Sequence, residues 1–355
     1  MSEKRIHSIL VIGLGKVGRL VADLLHGNGY RVRGMDLSRD KESAYEVISG
    51  DTGDSAGLLA AMKDMDAVIT CLPYSLNQGI AQAAVDAGLH YFDLTEDVPT
   101  TREVRKLAKT ARGIMAPQCG LAPGFISIVG AHLAHGFDKL RSIELRVGAL
   151  PQHPSGLLGY AFNWSAEGVV NEYLNDSEVI RGGQRDRVPA MQSVETIVID
   201  GVQLEAFSTS GGLGTMCETF DSRVEKLNYK TIRYPGHCHL MRFFFDELHM
   251  RSDRPRAGKI LVNAKPPVND DVVYVHAAVE GWREGALLRD EFVRSYYPKE
   301  IAGGLWKAIS WTTASSVAAV VELVNRGDIP GHGFLKQETI TLEKFLDTPT
   351  GANFK

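Results

Sequence analysis

Basic charge is what this sequence has least to spare. Its 39 Lys and Arg are outnumbered by 43 Asp and Glu, for a net charge of −4. A nucleic-acid binder normally presents a basic face, so that class is set aside. Cysteine is scarce as well: Cys71, Cys119, Cys217 and Cys238 lie far apart and form no C-x-x-C pair. That pattern argues against a disulfide framework and a cysteine-built zinc cage, and fits a reducing compartment. Cys238 and His239 stand beside His237, but no second ligand pair matches them, so no metal is expected. No apolar run reaches the roughly 18 residues that a membrane span requires. The start, "MSEKRIHSILVIGLG", sets basic residues before an apolar stretch as a signal peptide does. Glycines break that stretch and no small-residue cleavage site follows, so the chain reads as cytoplasmic. Repeats and low-complexity tracts are missing too. What remains is an ordinary globular composition, 44% hydrophobic and 23% charged over 355 residues. At roughly 150 residues per domain, that length suggests about two domains.

Glycine, by contrast, is plentiful and well placed. "SILVIG" (Ser8 to Gly13) has the length and continuous apolarity of a strand buried on both faces. It runs into Gly13-Leu14-Gly15-Lys16-Val17-Gly18, a G-x-G-x-x-G loop, followed by helical spacing at Val17, Leu20, Val21, Leu24 and Leu25. "YRVRGMD" then reads as a second strand that stops on Asp36. Gly13 suits the tight turn, Gly15 lets a pyrophosphate approach the backbone, and Gly18 lets helix and strand pack closely. The helix N-terminus faces the phosphates. An acid at Asp36 would accept from the adenosine ribose hydroxyls and repel a 2′-phosphate, which favours NAD over NADP. Arg39 stands against that preference, because an arginine there can hold the phosphate. Strand, glycines, helix, strand and acid in this order make a dinucleotide site the expected reading.

The alternation continues through "VISGD", "SAGLLAAMKDM", "DAVITCLP", "GIAQAAVDAG", "HYFDLT", "TREVRKLAKTA" and "GIMAPQ". Strands alternating with helices predict a parallel sheet with right-handed crossovers, whose ligands sit at the carboxyl ends of the strands. Those ends carry Cys71-Leu72-Pro73-Tyr74, Asp93-Leu94-Thr95 and Cys119-Gly120-Leu121, with Pro123 just beyond. Cofactor contacts are expected at Cys71, Leu72, Pro73, Leu121 and Pro123. Tyr74 and Asp93 are candidates for proton transfer; against this, Tyr74 would also pass as a surface aromatic and Asp93 as a helix cap.

After "LAPGF" the rhythm changes. A helix, "ISIVGAHLAHGF", precedes longer runs that alternate apolar and polar residues, among them "SIELRVGAL", "LEAFSTS", "YKTIRY" and "DVVYVHAAVEGW". Such runs predict half-buried, largely antiparallel strands in a second, α+β domain. A late helix over about 305–325, rich in Ala, Ser and Val, reads as a buried packing helix. Ser165 reads as the cap of the helix that follows it.

Taken with "VIGLGKVG", the segments "CGLAPGFISI", "FNWSAEGVVNEY", "EAFSTSGGLGT", "YKTIRYPGH" and "TTASSVAAVVELVNRGDIPGHG" resemble the saccharopine dehydrogenase-like family. The resemblance covers nearly the whole chain. It implies a Rossmann domain over 1–122 with a C-terminal return at about 329–355. A substrate-binding and oligomerisation domain would occupy 123–328, as a homodimer or larger homo-oligomer. The branch it implies oxidises the terminal amine of L-lysine with NAD, giving 2-aminoadipate 6-semialdehyde and ammonia. The alternative within the family is an NAD(P)-dependent dehydrogenase or reductase of saccharopine or carboxynorspermidine type, and outside it a non-catalytic NAD(H) sensor. The saccharopine-type alternative needs a second carboxylate site, for which Lys230, Arg181 and Arg185 are candidates.

An amino-acid substrate gives the basic segment "YKTIRYPGH" a purpose. Tyr229, Thr231 and Arg233 share one strand face, and a planar guanidinium can grip a carboxylate with two parallel hydrogen bonds. Arg233 is the expected carboxylate partner, with Thr209 and Ser210 of "TSGG", read as a helix-start turn, competing for or sharing the role. Glu167 and Asn163 are candidates for the α-amino group, and Tyr234 for a substrate contact. His237 follows Pro235-Gly236 at a probable helix start, where the dipole would lower its pKa and suit it as a base. The competing structural readings are an acid paired with Arg233 across the sheet, a capping His237 and a packing Tyr234.

Overall fold

The structure, a computed structural model, describes residues 5–38 and 43–355. The chain divides into two compact units: residues up to Gly124 with Ile301–Gly304 and Ser310–Lys355, and Phe125–Glu300 with Leu305–Ile309. Among the described residues no helix is long and apolar enough to cross a membrane.

The first unit alternates β1 (Ser8–Ile12), α1 (Gly18–Gly27), β2 (Arg31–Asp36), β3 (Glu46–Ser49), α2 (Ser55–Met62), β4 (Ala67–Thr70), α3 (Tyr74–Ala87), β5 (His90–Asp93), α4 (Val98–Leu107) and β6 (Ile114–Ala116). All six strands pair in parallel, and a two-residue strand, Gly333–Phe334, extends the sheet beyond β6. The order, with β1 between β4 and β2, places a topological switch point at the C-terminal end of β1, where a ligand crevice is expected. β1 and β4 are buried along their whole length, as a sheet covered on both faces requires. Asp54 and Asp97 start α2 and α4 by accepting from the amides of Ala56 and Thr100.

The return to this unit begins earlier than residue 329. Helix α10 (Ala308–Arg326) belongs to it from Ser310 onward. Its Val317, Ala318 and Val321 are fully buried, Asn325 accepts from the Ile6 amide, and Glu322 accepts from Asn28. The small side chains that mark this as a packing helix do not say which unit it packs in, and its polar contacts decide that.

The second unit carries α5 (Ile126–Ala134), β7 (Lys139–Pro151), α6 (Ala166–Leu174), β8 (Ser177–Arg181), β9 (Gln184–Val188), β10 (Glu195–Ile199), β11 (Val202–Ser208), α7 (Met216–Thr219), β12 (Val224–Arg233), α8 (His237–Arg242), α9 (Arg254–Ala264), β13 (Asp271–Arg283) and β14 (Ala286–Tyr296). Its mixed sheet runs β10-β11-β12-β7-β13-β14, antiparallel except for β12 beside β7, with β8 on the start of β12 and β9 on β8. The β8–β9 hairpin escaped the sequence pattern because β9, Gln-Arg-Asp-Arg-Val, is exposed and has no apolar alternation. Ser165 caps α6 as expected, accepting from the Gly168 amide. "TSGG" is not a helix start: the next helix, α7, begins only at Met216 and is four residues long. Gly212 is glycine because the Tyr229 ring lies where its Cβ would be, 2.2 Å from the nearest ring carbon.

Candidate active site

In the first unit the glycine loop meets each steric demand. Gly13 has φ +86°, and a Cβ there would press on Leu72. A Cβ on Gly18 would lie 1.8 Å from the Gly13 carbonyl oxygen. At Gly15 nothing lies within 4 Å, so the one exposed glycine of the three opens onto space. Leu14 packs against Gly34, Lys16 is exposed, and Val17 leads directly into α1. An open backbone at a ten-residue helix N-terminus fits a dinucleotide pyrophosphate. Asp36 ends β2, where its Oδ2 accepts from the Leu14 amide at 2.7 Å and its Oδ1 from the Ser38 amide. It therefore ties the glycine loop to β2. Arg39 lies outside the described residues.

The other strand ends of this unit hold Asp93. It is fully buried and receives three hydrogen bonds, from the amides of Thr95 and Gln118 and from the Tyr91 hydroxyl. Burial raises its pKa to about 6 against the pull of those donors. The helix nearest in sequence takes its cap from Asp97, so Asp93 clamps two loops and caps no helix. Cys71 and Cys119 lie close enough to feel its charge. Desolvation, reinforced by Asp93, pushes the Cys71 thiol up to about 12 and raises Cys119 as well, so neither is a thiolate nucleophile. Pro73 precedes Tyr74, a half-buried residue at the first position of α3. Leu121 and Pro123, past β6, are buried.

In the second unit, α6 and β12 bring a charged cluster together. Arg233, 2% exposed at the end of β12, donates through Nε to the Tyr173 hydroxyl at 2.8 Å and through Nη1 to the Ile232 carbonyl at 2.8 Å. Its guanidinium lies over the Tyr160 ring, 4.6 Å from the centroid. Its cross-strand neighbour is Glu205, but that carboxylate accepts from the amides of Gly236 and Cys238 instead. Among the described residues no carboxylate forms an ion pair with Arg233. Burial works against its charge, and the Tyr173 and Tyr160 hydroxyls and Glu172 outweigh it. Glu172 supplies negative charge nearby without an ion pair to the guanidinium, so an incoming carboxylate would be its first direct ion-pair partner among the described residues.

His237 joins the cluster at the first residue of α8, with Nε2 3.0 Å from the Tyr173 oxygen and Nδ1 2.9 Å from the Leu158 carbonyl. Its pKa is lowered to about 3, chiefly by burial and then by the Arg233 charge. The expectation of a histidine base is thereby corrected: the ring is buried, bonded at both nitrogens, and too weakly basic to take a proton near neutrality.

The remaining expected residues divide. Thr209 is wholly buried with no partner for its hydroxyl among the described residues, and the amide of buried Ser210 donates to the Glu172 carbonyl. Glu167 is exposed on the first turn of α6, away from the buried cluster. Asn163 accepts from the Val268 amide, and Tyr234 donates to the Pro151 carbonyl with its ring against Gly159. Both have structural work. The basic residues considered for a second carboxylate are paired: Lys230 with Glu195, Arg181 with Asp186, Arg185 with Glu178. Sequence reading missed Tyr173, Tyr160 and Glu172. The adjacent Glu172 and Tyr173 are both buried on α6, and a buried acid next to a tyrosine in "VVNEYL" was the available signal.

The saccharopine dehydrogenase NADP binding domain matches residues 9–116, and the saccharopine dehydrogenase C-terminal domain matches residues 120–349. The chain belongs to the saccharopine dehydrogenase family. Among curated relatives, the NADP(+), L-glutamate-forming saccharopine dehydrogenase of Pyricularia oryzae is 28% identical over 206 residues, 53% of this chain and 45% of the relative. Its namesake from Schizosaccharomyces pombe is 26% identical over 284 residues, 70% of this chain and 61% of the relative. The matched segments thus span roughly half the length of these relatives. The structure of the L-Glu-forming saccharopine dehydrogenase of Saccharomyces cerevisiae shares the fold, with TM-score 0.73 at 17% identity over 96% of this chain and 95% of that one.

These matches overturn the expectation of NAD. The matched domain is an NADP binding domain, and the curated relatives are named for NADP. Asp36 misled because one acid at the end of β2 was read as excluding a 2′-phosphate; in the structure that acid also holds the amides of Leu14 and Ser38.

Proposed function

We propose that the chain is an NADP-dependent oxidoreductase acting on a carbon–nitrogen bond of an amino-acid substrate, of saccharopine type. The observation that carries this is Arg233, a buried cation with no ion-pair partner among the described residues, in a family whose named members handle a carboxylate-bearing secondary amine. In this reading Arg233 receives a substrate carboxylate, and Thr209, with its unpartnered buried hydroxyl, adds a contact beside Ser210. Gly13, Gly15, Gly18 and the start of α1 hold the NADP pyrophosphate. NADP, when bound, accepts the hydride from the carbon that bears the amine. The amine must lose a proton before that carbon gives up hydride, and water then cleaves the resulting imine to an aldehyde and an amine. Asp93, whose pKa burial raises to about 6, and Tyr74 are the proposed proton carriers. The first unit has the nucleotide role, and the second the substrate and oligomer roles. A homodimer or larger homo-oligomer is supported by the exposed Leu287 and Leu288 on the edge strand β14. A cytoplasmic location is supported by four free thiols.

One observation favours a second reading, oxidation of the terminal amine of L-lysine. Lys230, Arg181 and Arg185 are already paired with acids, so Arg233 alone suits a substrate with one carboxylate there. Absorbance at 340 nm, with NADP and either saccharopine or L-lysine, separates the two. Turnover with saccharopine supports the first reading, and turnover with lysine together with ammonia release supports the second. Tight NADPH binding with neither turnover would leave a nucleotide-binding protein without this chemistry.

A further inference from the structure

We infer that Tyr173 and His237 are positioning residues: they form a one-directional hydrogen-bond chain that fixes the Arg233 guanidinium so that it meets a carboxylate end-on, through Nη1 and Nη2. The inference rests on the carboxylate role proposed for Arg233.

The direction of every bond follows from the first. The Leu158 carbonyl can only accept, so the His237 nitrogen beside it, Nδ1 at 2.9 Å, carries the hydrogen. The Nε2 of a neutral ring is then an acceptor, and the Tyr173 hydroxyl, 3.0 Å away, must donate to it. With its one hydrogen committed, Tyr173 offers a lone pair, which receives the Arg233 Nε–H at 2.8 Å. Each member has one polarity, and none can reverse without breaking its neighbour. A charged His237 would set a second donor against the Tyr173 oxygen and place a cation beside Arg233. Burial makes the arrangement stiff. Arg233 is 2% exposed, His237 1% and Tyr173 not at all, and the rings of Tyr160 and Phe207 flank the imidazole at 5.2 and 6.2 Å.

The consequence for recognition is geometric. A guanidinium can grip a carboxylate side-on, through Nε and one Nη, or end-on, through both Nη atoms. Tyr173 occupies Nε, which closes the side-on mode. Nη1 gives one hydrogen to the Ile232 carbonyl and keeps its other, and Nη2 has no partner among the described residues. The end-on pair is what remains. This assigns Tyr173 and His237 to aiming the arginine, with no proton passing through them.

The test compares an acid substrate, the one found to turn over, with its carboxamide, in the full-length chain. Tyr173→Phe is expected to raise KM for the acid about 10- to 100-fold, the worth of one charge-assisted hydrogen bond. The value of kcat should stay within about threefold, and KM for the amide and NADPH affinity should hold. His237→Leu should show the same split, and His237→Gln, which keeps an acceptor near Nε2, should recover part of it. If Arg233→Lys raises KM for the acid but Tyr173→Phe and His237→Leu do not, the positioning role is wrong and the carboxylate reading survives. If Arg233→Lys leaves the acid KM unchanged, the carboxylate reading itself is wrong. Equal losses for acid and amide would also overturn the inference, because they report general damage. Should the variants fail to fold, histidine-selective ¹⁵N NMR on the unsubstituted chain decides it. A neutral Nδ1–H ring at pH 5 is expected for His237, and an Nε2–H or charged ring overturns the chain of bonds.

Discussion

Burial moves two titrating side chains, Asp93 and His237, in opposite directions. Asp93 has a folded-state pKa of about 6 against 3.8, so between those values the native state holds a proton that the unfolded chain has released. Its contribution is full below pH 3.8 and is lost as pH rises to 6, about 3 kcal/mol in all. Asp93→Asn should abolish that slope, since its Oδ1 can still accept from both amides and its nitrogen can donate to the Tyr91 oxygen once that hydroxyl turns toward the Asn77 carbonyl. Urea unfolding at pH 4.5 and pH 7 measures the difference in slope between the two proteins. His237 has the reverse sign. Its folded pKa is about 3 against 6.5, so its contribution is present above pH 6.5 and fades as pH falls toward 3, by up to about 5 kcal/mol. His237→Gln should therefore lose less stability than the unsubstituted chain between pH 6.5 and 4. If the two unfold in parallel over that range, His237 is not buried neutral. The sequence offered Arg233 and His237 as members of one short segment, and both do stand in the cluster. What it hid was Tyr173, because a tyrosine sixty positions away becomes a partner only when α6 packs beside β12.

At the scale of the element, the glycine loop makes separable demands. Gly18→Ala would drive a Cβ into the Gly13 carbonyl, an atom that cannot step aside, and should cost about 3 kcal/mol in chemical unfolding. A Cβ at Gly15 would meet nothing within 4 Å, so Gly15→Ala should leave stability within about 1 kcal/mol while weakening NADPH binding about tenfold or more. Fluorescence titration with NADPH checks the second variant; unchanged affinity would mean the nucleotide does not approach this backbone. The loop was legible because its requirements are local, a positive φ here and a missing Cβ there. The start of α10 was not. Its first amides, at Ala308 and Ile309, are received by Asp271 of β13, at 2.6 and 3.0 Å. The acid lies so far upstream that no capping pattern in the sequence could show it. Asp271→Ala should cost about 1–3 kcal/mol, as loss of a buried cap does, and thermal unfolding reads it.

At the scale of the whole molecule, the first unit is built from widely separated stretches of chain. The parallel alternation that announced it lies in the first 116 residues, yet its sheet gains a strand at Gly333–Phe334. Gln337 ties the distant segment down, donating to the Pro117 carbonyl beside Cys119. The return expected at about 329–355 takes in both, although a two-residue strand and one glutamine leave no periodic trace of the contacts they make. A chain ending at Arg326 should therefore lose the seventh strand and the Gln337 contact. It should unfold at lower denaturant and bind NADPH more weakly, and equal binding and stability would show these last residues to be dispensable. The same arrangement sets an order of events during synthesis. The ribosome delivers the glycine loop before the second unit, and Phe334 only after the whole of that unit has emerged. Until then the exposed edge of β6 has no strand beside it, and Pro117 has no Gln337. The second unit, whose own strands lie almost entirely between residues 125 and 300, can fold while the first is still waiting for its last piece. A nascent chain stalled once Ile309 has left the ribosome should thus protect the second unit from protease while leaving the first open to it.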